Sequence, residues 1–500
     1  MVESQVYALN PNYFMRMDGT VATLCDRPQL EEEMHPHKSG FVSHLHPLTA
    51  HMLAFFDGNR TFGDVVRCVA ERFSLPQDKV SDLLSRYVEN EKSFEIPAGT
   101  LAQYIPAHCI VEIQEGVRYK KYDPALFIAT TRDFDPPVRL PKPLTGMFLP
   151  TMRCVTDCEY CYADRREVKN AGFSAERILE LIDEASDLHM EGLDISGGDF
   201  FLYPQWEKVL ARLVEKGFSP RVSTKKPLSV GEVERLVATG VESIQFSIDT
   251  LDPIVASSLL RVDGESYVRE VLATLDLLSR AGIKLFVNTV ITPRNSDLEV
   301  VKSHLGKLLA YKNLKRIMLS PAGYSLYRNK TAESYLPTAK SIELIREYVA
   351  TAFGGLHNGV DIRVSEGASC PSAESNRRRE DFDSRAFCTG NLHSFVVLPD
   401  GRVTICEELY YHPAFIIGNL AKQSIAEMWQ SQEALSLFKR PQSLFPDDSA
   451  CSKCADFLHC RRQKGVCWKF VIMAYGQNNW QYPDPTCPLA PTPIQKYWNS

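Results

Sequence analysis

Three cysteines in the string CVTDCEYC, at positions Cys154, Cys158 and Cys161, have the residue type and spacing of ligands that share one metal centre. A fully ligated 4Fe–4S cluster takes four cysteines. Structural zinc also takes four ligands, usually two on each of two separated knuckles. Three closely spaced cysteines fit neither arrangement. They fit an iron–sulfur cluster that keeps one iron open for a small molecule.

The composition of the chain excludes several classes of function. The 500 residues are 44% hydrophobic, enough for more than one core, so two to four domains are expected. A net charge of −6 offers no basic surface to nucleic acid or to an acidic membrane. No apolar run reaches transmembrane length, and the start MVESQVYALN lacks the features of a secretory signal. We therefore expect a cytoplasmic protein that binds neither nucleic acid nor membrane.

The cysteine count supports a metal protein. Fourteen cysteines in a cytoplasmic chain are expected to be reduced thiols or metal ligands rather than disulfides. Cys25, Cys68 and Cys109 stand alone and are expected to be buried or incidental thiols. The others follow residue 150, mostly in tight groups.

From Leu144 onward, short apolar runs alternate with amphipathic stretches such as Ser174–Leu188 and Pro204–Lys216, which predict helices. Repeated strand–helix units imply an α/β fold with a parallel sheet. The cysteine string follows the first predicted strand. In barrels built from strand–helix units, active sites lie at this end of the strands. The predicted strands are Gly146–Leu149, Leu193–Ser196, Arg221–Thr224, Ser243–Ile248, Lys284–Val290 and Arg316–Leu319.

Candidate binding residues stand near the ends of the later strands. They are Gly197, Gly198, Asp199, Ser223, Ser247, Asp249 and Asn288, with Arg261 in the string LLRVDG and Tyr160 before the last cysteine. In this order, together with the cysteine string, they resemble the radical S-adenosylmethionine (SAM) superfamily. The resemblance implies a partial (β/α)6 TIM barrel over residues 144–355, with SAM chelating the open iron.

The resemblance also implies roles for these residues. The glycines of Gly197-Gly198-Asp199 would let the backbone approach the methionine amino group of SAM, beside a favourable carboxylate. Arg261 would pair with the SAM carboxylate. Each has an ordinary alternative, which is a plain turn for the glycines, a solvated cap for Asp199 and a surface ion pair for Arg261.

The resemblance further implies contacts with the ribose, carboxylate and adenosine of SAM, with one departure from the family pattern. Ser247 and Asp249 would lie near the ribose and carboxylate of SAM, and Asn288 near the adenosine. At Ser223 the chain departs from the family, because it continues Thr-Lys-Lys where other members read T-N-G. The ribose contact at that strand therefore stays open.

The chemistry implied is that of the cofactor. An external reductant such as flavodoxin or ferredoxin supplies one electron, SAM breaks to methionine and a 5′-deoxyadenosyl radical, and the radical abstracts a hydrogen atom. The barrel has to exclude water and hold the target C–H bond close.

Residues 356–500 carry a second group of cysteines that resembles the SPASM domain, which holds two auxiliary 4Fe–4S clusters and would bring the total to three. The resemblance assigns Cys388, Cys406 and Cys467 to the nearer cluster, although the gap before Cys467 is longer than usual. Cys370 is either the fourth ligand there or that iron is open to substrate. A zinc knuckle at CSKCADFLHC is the alternative. The farther cluster would be held by Cys451, Cys454, Cys460 and Cys487.

Residues 1–96 predict a winged helix-turn-helix. The predicted strands are Tyr13–Met17, Val21–Leu24 and Gly40–Val42, and the three predicted helices carry the apolar stripes Leu48/Met52/Phe55, Val65/Val66/Val69 and Val80/Leu83/Leu84/Tyr87. Residues 41–96 hold 6 Lys or Arg and 8 Asp or Glu, whereas a DNA reader needs a basic face. The order L-x-x-L-T-A-(x)6-D-G-x-x-T, from Leu45 to Thr61, resembles the RiPP recognition element, which binds a leader peptide as an added strand. A helical cap for oligomerisation is the alternative. The proline-rich residues 97–143 are expected to be an irregular linker.

These expectations predict a maturase that installs an oxidative crosslink, a thioether or a carbon–carbon or ether macrocycle, in a ribosomally made precursor peptide. Three alternatives remain at this point. They are oxidation without a ring, such as formylglycine formation, a redox-sensing regulator built on an iron–sulfur cluster, and a SAM-independent electron carrier.

Overall fold

The computed structural model describes residues 3–494 except 27–41, 89, 100, 132, 164–172, 327–331, 366–381, 384, 386–387, 411 and 464–465. The chain forms two compact units, Met1–Lys142 and Pro143–Ser500. No helix within the described ranges is long and apolar enough to cross a membrane.

The described part of the unit Met1–Lys142 combines three helices with three small antiparallel sheets, two of three strands and one of two. Its helices are α1 (Pro47–Leu53), α2 (Phe62–Phe73) and α3 (Gln77–Val88). Its strands are β1 (Val6–Leu9), β2 (Tyr13–Asp18), β3 (Val21–Asp26), β4 (Val42–Leu45), β5 (Asp57–Thr61), β6 (Phe94–Ala98), β7 (Leu101–Ile105) and β8 (Ile110–Glu112).

Helix α2 shows why these helices form. The Thr61 hydroxyl accepts a hydrogen bond from the backbone N–H of Asp64, and the Asp64 carboxylate accepts one from the backbone N–H of Thr61, which is a capping box. Val65 and Val69 are fully buried on the core face of this helix, as their spacing predicts.

One expectation for this unit is wrong, and another falls mostly outside the described residues. Of the predicted strand Gly40–Val42 only Val42 is described, and it begins the strand Val42–Leu45. Helix α1 buries Ala50 and Leu53, whereas Leu48 is 43% exposed. In a helix of two turns, the buried face is determined by the sheet against which the helix packs. The buried face of α1 therefore differs from the one that the apolar stripe predicts.

The stretch 97–143 differs from the expected irregular linker, because it contains the end of β6, all of β7 and all of β8. Pro97 pairs with Ala102 across the β6–β7 hairpin. Proline is tolerated there because a two-stranded hairpin consists of edge strands. β8 then pairs with β1 near the start of the chain.

In the unit Pro143–Ser500, six parallel strands alternate with helices, within two residues of the expected strand bounds. The strands are β9 (Thr145–Phe148), β10 (Gly192–Ile195), β11 (Ser223–Thr224), β12 (Ser243–Ser247), β13 (Lys284–Ile291) and β14 (Leu314–Pro321). The helices are α4 (Ala175–Asp187), α5 (Trp206–Glu215), α6 (Val230–Ala238), α7 (Pro253–Leu260), α8 (Gly264–Arg280), α9 (Leu298–Leu308), α10 (Ala332–Tyr335) and α11 (Ala339–Phe353).

Later strands extend this parallel sheet at both ends. β16 (Val360–Val364) pairs with β14, and β17 (Ser394–Val397) pairs with β9. Both strands follow residue 355, so segments expected in the C-terminal domain complete the barrel sheet. The remaining elements are β15 (Leu356–His357), β18 (Arg402–Thr404), β19 (Ile416–Asn419), α12 (Ile425–Trp429), α13 (Gln432–Phe438), α14 (Phe457–Gln463) and α15 (Trp468–Tyr475).

Candidate active site

The cysteine loop leaves the carboxyl end of β9 and lies against the end of α7. The backbone N–H groups of Asp157 and Glu159 donate to the carbonyls of Leu260 and Leu259, at 2.9 and 3.3 Å. Cys158 is 6% exposed, and its sulfur lies 3.3 Å from the hydroxyl of Thr156. Backbone hydrogen bonds to the end of α7 therefore fix the loop that holds the three thiols.

The glycine pair after β10 is pressed against the backbone of this loop. A Cβ on Gly198 would lie 2.2 Å from the carbonyl oxygen of Arg153, and one on Gly197 would lie 2.6 Å from that of Thr151. Gly197 also has a positive φ of 108°. The N–H of Gly198 donates to the Thr151 carbonyl at 2.8 Å. The structure thus shows a close approach of two loops, which any side chain would obstruct.

Asp199 links the ends of the second and third barrel strands. The carboxylate is 1% exposed and accepts the Thr224 hydroxyl at 2.8 Å and the backbone N–H groups of Lys225 and Lys226 at 3.0 and 2.8 Å. Burial raises the pKa of Asp199, while these hydrogen bonds oppose the rise. Its lone pairs are directed at the loop after β11.

Asp249, after β12, is the centre of a second buried network. Its side chain is fully buried and pairs with Lys225 Nζ at 2.7 Å. The Tyr160 hydroxyl donates to the same carboxylate, and the Val290 N–H donates to its other oxygen at 3.0 Å. Burial and the Asp249 charge hold the pKa of Tyr160 well above its usual value.

Lys225 belongs to this site, although the sequence did not predict a role for it. Its ammonium also donates to the Ser247 carbonyl at 3.3 Å. Burial lowers the pKa of Lys225, but Asp249 and the Cys158 thiol raise it, and the net shift is upward. Burial raises the pKa of Cys158, whereas Lys225 lowers it. The unusual Thr-Lys-Lys after the third strand was the available signal.

The remaining candidates lie around this network. Ser247 and Asn288 are register partners on β12 and β13, and both are half-buried, as is Ser223 on β11. Arg261 ends α7 with a positive φ of 55° and pairs with Asp157 of the cysteine loop at 2.8 Å. Its side chain is 59% exposed.

Four of the C-terminal cysteines line one cavity, as a complete 4Fe–4S ligand set would. They are the set expected for the farther cluster, Cys451, Cys454, Cys460 and Cys487. Burial raises the pKa of Cys487 to about 11.

The cysteines expected around the nearer cluster also influence one another. Burial raises the pKa of Cys406 and of Cys467 to about 12, and the charge of Cys388 adds to the rise at both. Cys370 lies outside the described residues. All thirteen described cysteines are free thiols, and no three Cys, His, Asp or Glu side chains in the described ranges could hold a single metal ion.

Two family models match the chain. The radical SAM superfamily matches residues 148–304, and the SPASM iron–sulfur cluster-binding domain matches residues 388–455. Curated relatives include the PqqA peptide cyclase of Granulibacter bethesdensis, 22% identical over 68% of this chain and 86% of the relative. The PqqA peptide cyclase of Xanthomonas axonopodis pv. citri is 24% identical over 60% and 77%.

Solved structures with the same fold include Streptococcus suis SuiB bound to its precursor peptide SuiA, with a TM-score of 0.60, 14% identity and coverage of 97% of this chain and 100% of that chain. SuiB bound to S-adenosylmethionine has the same TM-score and identity, with coverage of 96% and 100%. The predicted SAM and iron–sulfur chemistry is confirmed by the family matches. The chain is a radical SAM enzyme with a C-terminal SPASM domain.

Proposed function

We propose that this enzyme is a peptide maturase, which installs an oxidative crosslink in a ribosomally made precursor peptide. The observation that carries the proposal is the presence, in one compact unit, of a three-cysteine loop at the end of a parallel barrel and a separate cavity lined by four cysteines. The relatives named PqqA peptide cyclase and the SuiB structure with a precursor peptide support a peptide substrate.

Cys154, Cys158 and Cys161 would hold the SAM-binding cluster. The buried ammonium of Lys225 favours the thiolate form of Cys158, which is the form that binds iron. When bound, SAM supplies a 5′-deoxyadenosyl radical after one-electron reduction by a donor such as flavodoxin or ferredoxin. A rigid site keeps water out and the radical close to its target.

The residues beside the thiols would orient SAM. The Lys225–Asp249 pair, with Tyr160, is a buried network that would hold the strand ends around the ligand. Ser247 and Asn288 lie on adjacent strands beside it and would face the adenosine. Further contacts would come from Gly197, Gly198 and Ser223. Asp199 and Arg261 would act indirectly, by holding the loop after β11 and the cysteine loop in place.

The C-terminal cysteines would hold two auxiliary clusters, giving three 4Fe–4S clusters in all. Each crosslink removes two hydrogens from the peptide, one as a hydrogen atom and one as a proton with an electron. The nearer cluster, on Cys388, Cys406 and Cys467 with Cys370 or substrate at its fourth iron, would accept that electron. The farther cluster would be held by Cys451, Cys454, Cys460 and Cys487.

Met1–Lys142 would be the leader-binding domain, a winged-helix RiPP recognition element. Its three helices and the β6–β7 hairpin support this proposal, and the strands β6 to β8 favour a boundary beyond residue 96. The edge of β4 is in contact with β7, since the Ser43 hydroxyl donates to the Tyr104 carbonyl at 2.7 Å. A leader peptide that adds a strand to this sheet would therefore have to pair at another edge or displace the β6–β7 hairpin. Free thiols fit a cytoplasmic location.

The first test is 5′-deoxyadenosine formation by anaerobically reconstituted enzyme with SAM and dithionite. The parent should form it, and a Cys154/Cys158/Cys161→Ala variant should not. Cys68→Ala, a thiol outside all the groups, is the matched control and should remain active. Product from the triple variant would contradict the assignment of the three cysteines.

The peptide is tested with a candidate precursor encoded beside the gene for this enzyme. We expect a product lighter by two hydrogens per crosslink, with peptide fragmentation suppressed between the linked residues, and weaker turnover of the peptide without its leader. A product that reacts with hydrazide would instead be a carbonyl, as in formylglycine formation.

A further inference from the structure

Arg461 lies in the wall between two cavities of the C-terminal region. It lines the cavity with the four cysteines of the farther set, and it also lines the adjoining cavity that contains Cys388 of the nearer set. It follows Cys460 directly in α14. A fixed positive charge therefore stands between the two expected auxiliary clusters.

Aromatic rings hold this guanidinium in place. Its central carbon lies 5.0 Å from the ring centroid of Phe445, 5.4 Å from that of Phe457 and 6.0 Å from that of Trp468. Cation–π contacts of this kind leave the N–H groups of arginine free to donate. Cys451 and Cys460 line the same cavity as Arg461.

The two cysteine sets have opposite charged neighbours. Arg461 acts on Cys451 and Cys460 of the farther set, and Arg385 Nη2 lies 3.9 Å from the sulfur of Cys460. Next to Cys406 of the nearer set are two carboxylates, Glu407 and Glu408.

The carboxylates at the nearer set keep partners of their own. Glu407 accepts a hydrogen bond from Tyr162 at 3.1 Å, and Glu408 pairs with Lys469. Asp484 acts on both sets, through Cys467 and Cys460. Lys469, the partner of Glu408, also acts on Cys467. The nearer set thus has one cation that is already paired, whereas two arginines act on the farther set. The imbalance between the sets therefore comes mainly from the arginines.

We infer that Arg461 makes the farther auxiliary cluster the stronger electron acceptor and so directs the electron taken from the substrate outward, from the nearer cluster to the farther one. A cluster gains one negative charge on reduction, so a nearby cation stabilises its reduced form, and net charge is among the factors that set its potential. One electron leaves the nearer cluster and enters the farther, and no bond or proton changes. The inference rests on the two auxiliary clusters of the proposed function.

The test is an EPR-monitored redox titration of the full chain with its auxiliary clusters loaded, in the Cys154/Cys158/Cys161→Ala background. Arg461→Gln should lower the midpoint potential of the farther cluster more than that of the nearer one. We expect at least a tenfold shift in the partition of the electron, equal to about 59 mV for a one-electron couple. Arg461→Lys, which keeps the charge, should restore most of the potential.

Arg440→Gln is the matched control. Arg440 lines the cavity with Cys388 and stacks on Trp480 at 5.1 Å, but it does not line the cavity with the four cysteines. This substitution removes the same charge, and it should leave the midpoint potential of the farther cluster unchanged. An equal shift from both variants, or none from Arg461→Gln, would overturn the inference.

A gain of charge tests the same idea without removing the guanidinium. Leu489 is 58% exposed at the rim of the four-cysteine cavity, so Leu489→Arg adds a cation without disturbing a core. The potential of the farther cluster should rise, and an unmoved potential would contradict the inference even if Arg461→Gln loses iron. A preparation with fewer than two auxiliary clusters would instead contradict the cluster count of the proposed function.

Discussion

The cysteine loop of the barrel and the four-cysteine cavity of the C-terminal region are built differently. Cys154, Cys158 and Cys161 follow a strand that is paired on both sides, and their loop is hydrogen-bonded to the end of α7. In the cavity, Cys451 lies in a 3-10 turn and Cys460 in a helix of seven residues. Neither follows a strand.

The difference also extends to the polar neighbours. Beside the barrel loop, Asp199 and Asp249 are satisfied by backbone N–H groups, hydroxyls and a lysine. Around the cavity the neighbours are mainly aromatic rings and Arg461, with Asp484 as the buried carboxylate. We therefore expect the cavity to depend more on its metal for order than the barrel site does, as small metal-binding segments do.

Removal of iron is the strongest test of this contrast. We expect anaerobic chelation to lower amide-exchange protection across residues 450–490 by about 100-fold, while β12–β14 keep theirs. Hydrogen exchange read by mass spectrometry gives both values in one experiment. Equal losses in both regions would show that the barrel also depends on its cluster.

The barrel network should be costly to break with a point substitution. Lys225→Met leaves the buried Asp249 carboxylate without its cation, so the free energy of unfolding should fall by about 3–5 kcal/mol. Denaturant unfolding measures this value, and SAM affinity should fall with it. A loss below about 1 kcal/mol would mean that the pair contributes little to the barrel.

The barrel should also lose stability in acid. Burial lowers the pKa of His304, which is 5% exposed on α9, from 6.5 to about 4. The unfolded chain then binds more protons between these values, so the free energy of unfolding should fall by about 3 kcal/mol as the pH drops from 6.5 to 4.

Unfolding curves at several pH values measure this slope. His304→Gln should flatten it, while His357→Gln, on β15, serves as the control and should retain it. An unchanged slope in His304→Gln would assign the acid sensitivity to other groups.

The close approach of the two barrel loops predicts a smaller effect on stability. Gly198→Ala puts a Cβ 2.2 Å from a backbone oxygen and should cost about 1–3 kcal/mol, with loss of iron from the first cluster. Gly306→Ala, in α9 with nothing within 4 Å of its Cβ, should be neutral or stabilising. Iron content after reconstitution and unfolding curves are the measurements, and a fully loaded Gly198→Ala would refute the steric argument.

The smallest effect is expected at the exposed ion pair. Arg261→Met removes a cation from a carboxylate, as Lys225→Met does, but its side chain is 59% exposed and solvent screens the pair. Unfolding should become easier by at most about 1 kcal/mol. A loss as large as that of Lys225→Met would show that burial does not explain the difference between the two ion pairs.

Much of the barrel could be predicted because its pattern is local. Each of the strands β9–β14 is a short apolar run, and amphipathic helices separate the runs. β16 and β17 could not be predicted to extend the sheet. In β16 the charged residues Asp361 and Arg363 alternate with apolar ones, and Asp361 pairs with Arg316 of β14 only in the folded sheet.

The motif glycines and cysteines were identifiable from spacing, but their partners were not. Lys225 appears in the sequence only as a departure from T-N-G, and its direction toward Asp249 follows from the meeting of two strand ends. Arg261 shows the reverse case, since a motif position faces Asp157 and solvent. In Met1–Lys142 the prolines predicted a linker because a hairpin edge that tolerates proline cannot be told from a loop by local sequence.

The pairing of β17 with β9 has a consequence for the order of events during synthesis. About 250 residues separate these strands, so at about 5–20 residues per second roughly 10–50 s pass between their emergence from the ribosome. During that interval β9, whose end carries the loop of Cys154, Cys158 and Cys161, has at most one of its two neighbours. The radical-generating end of the barrel is therefore among the last parts of the molecule to close.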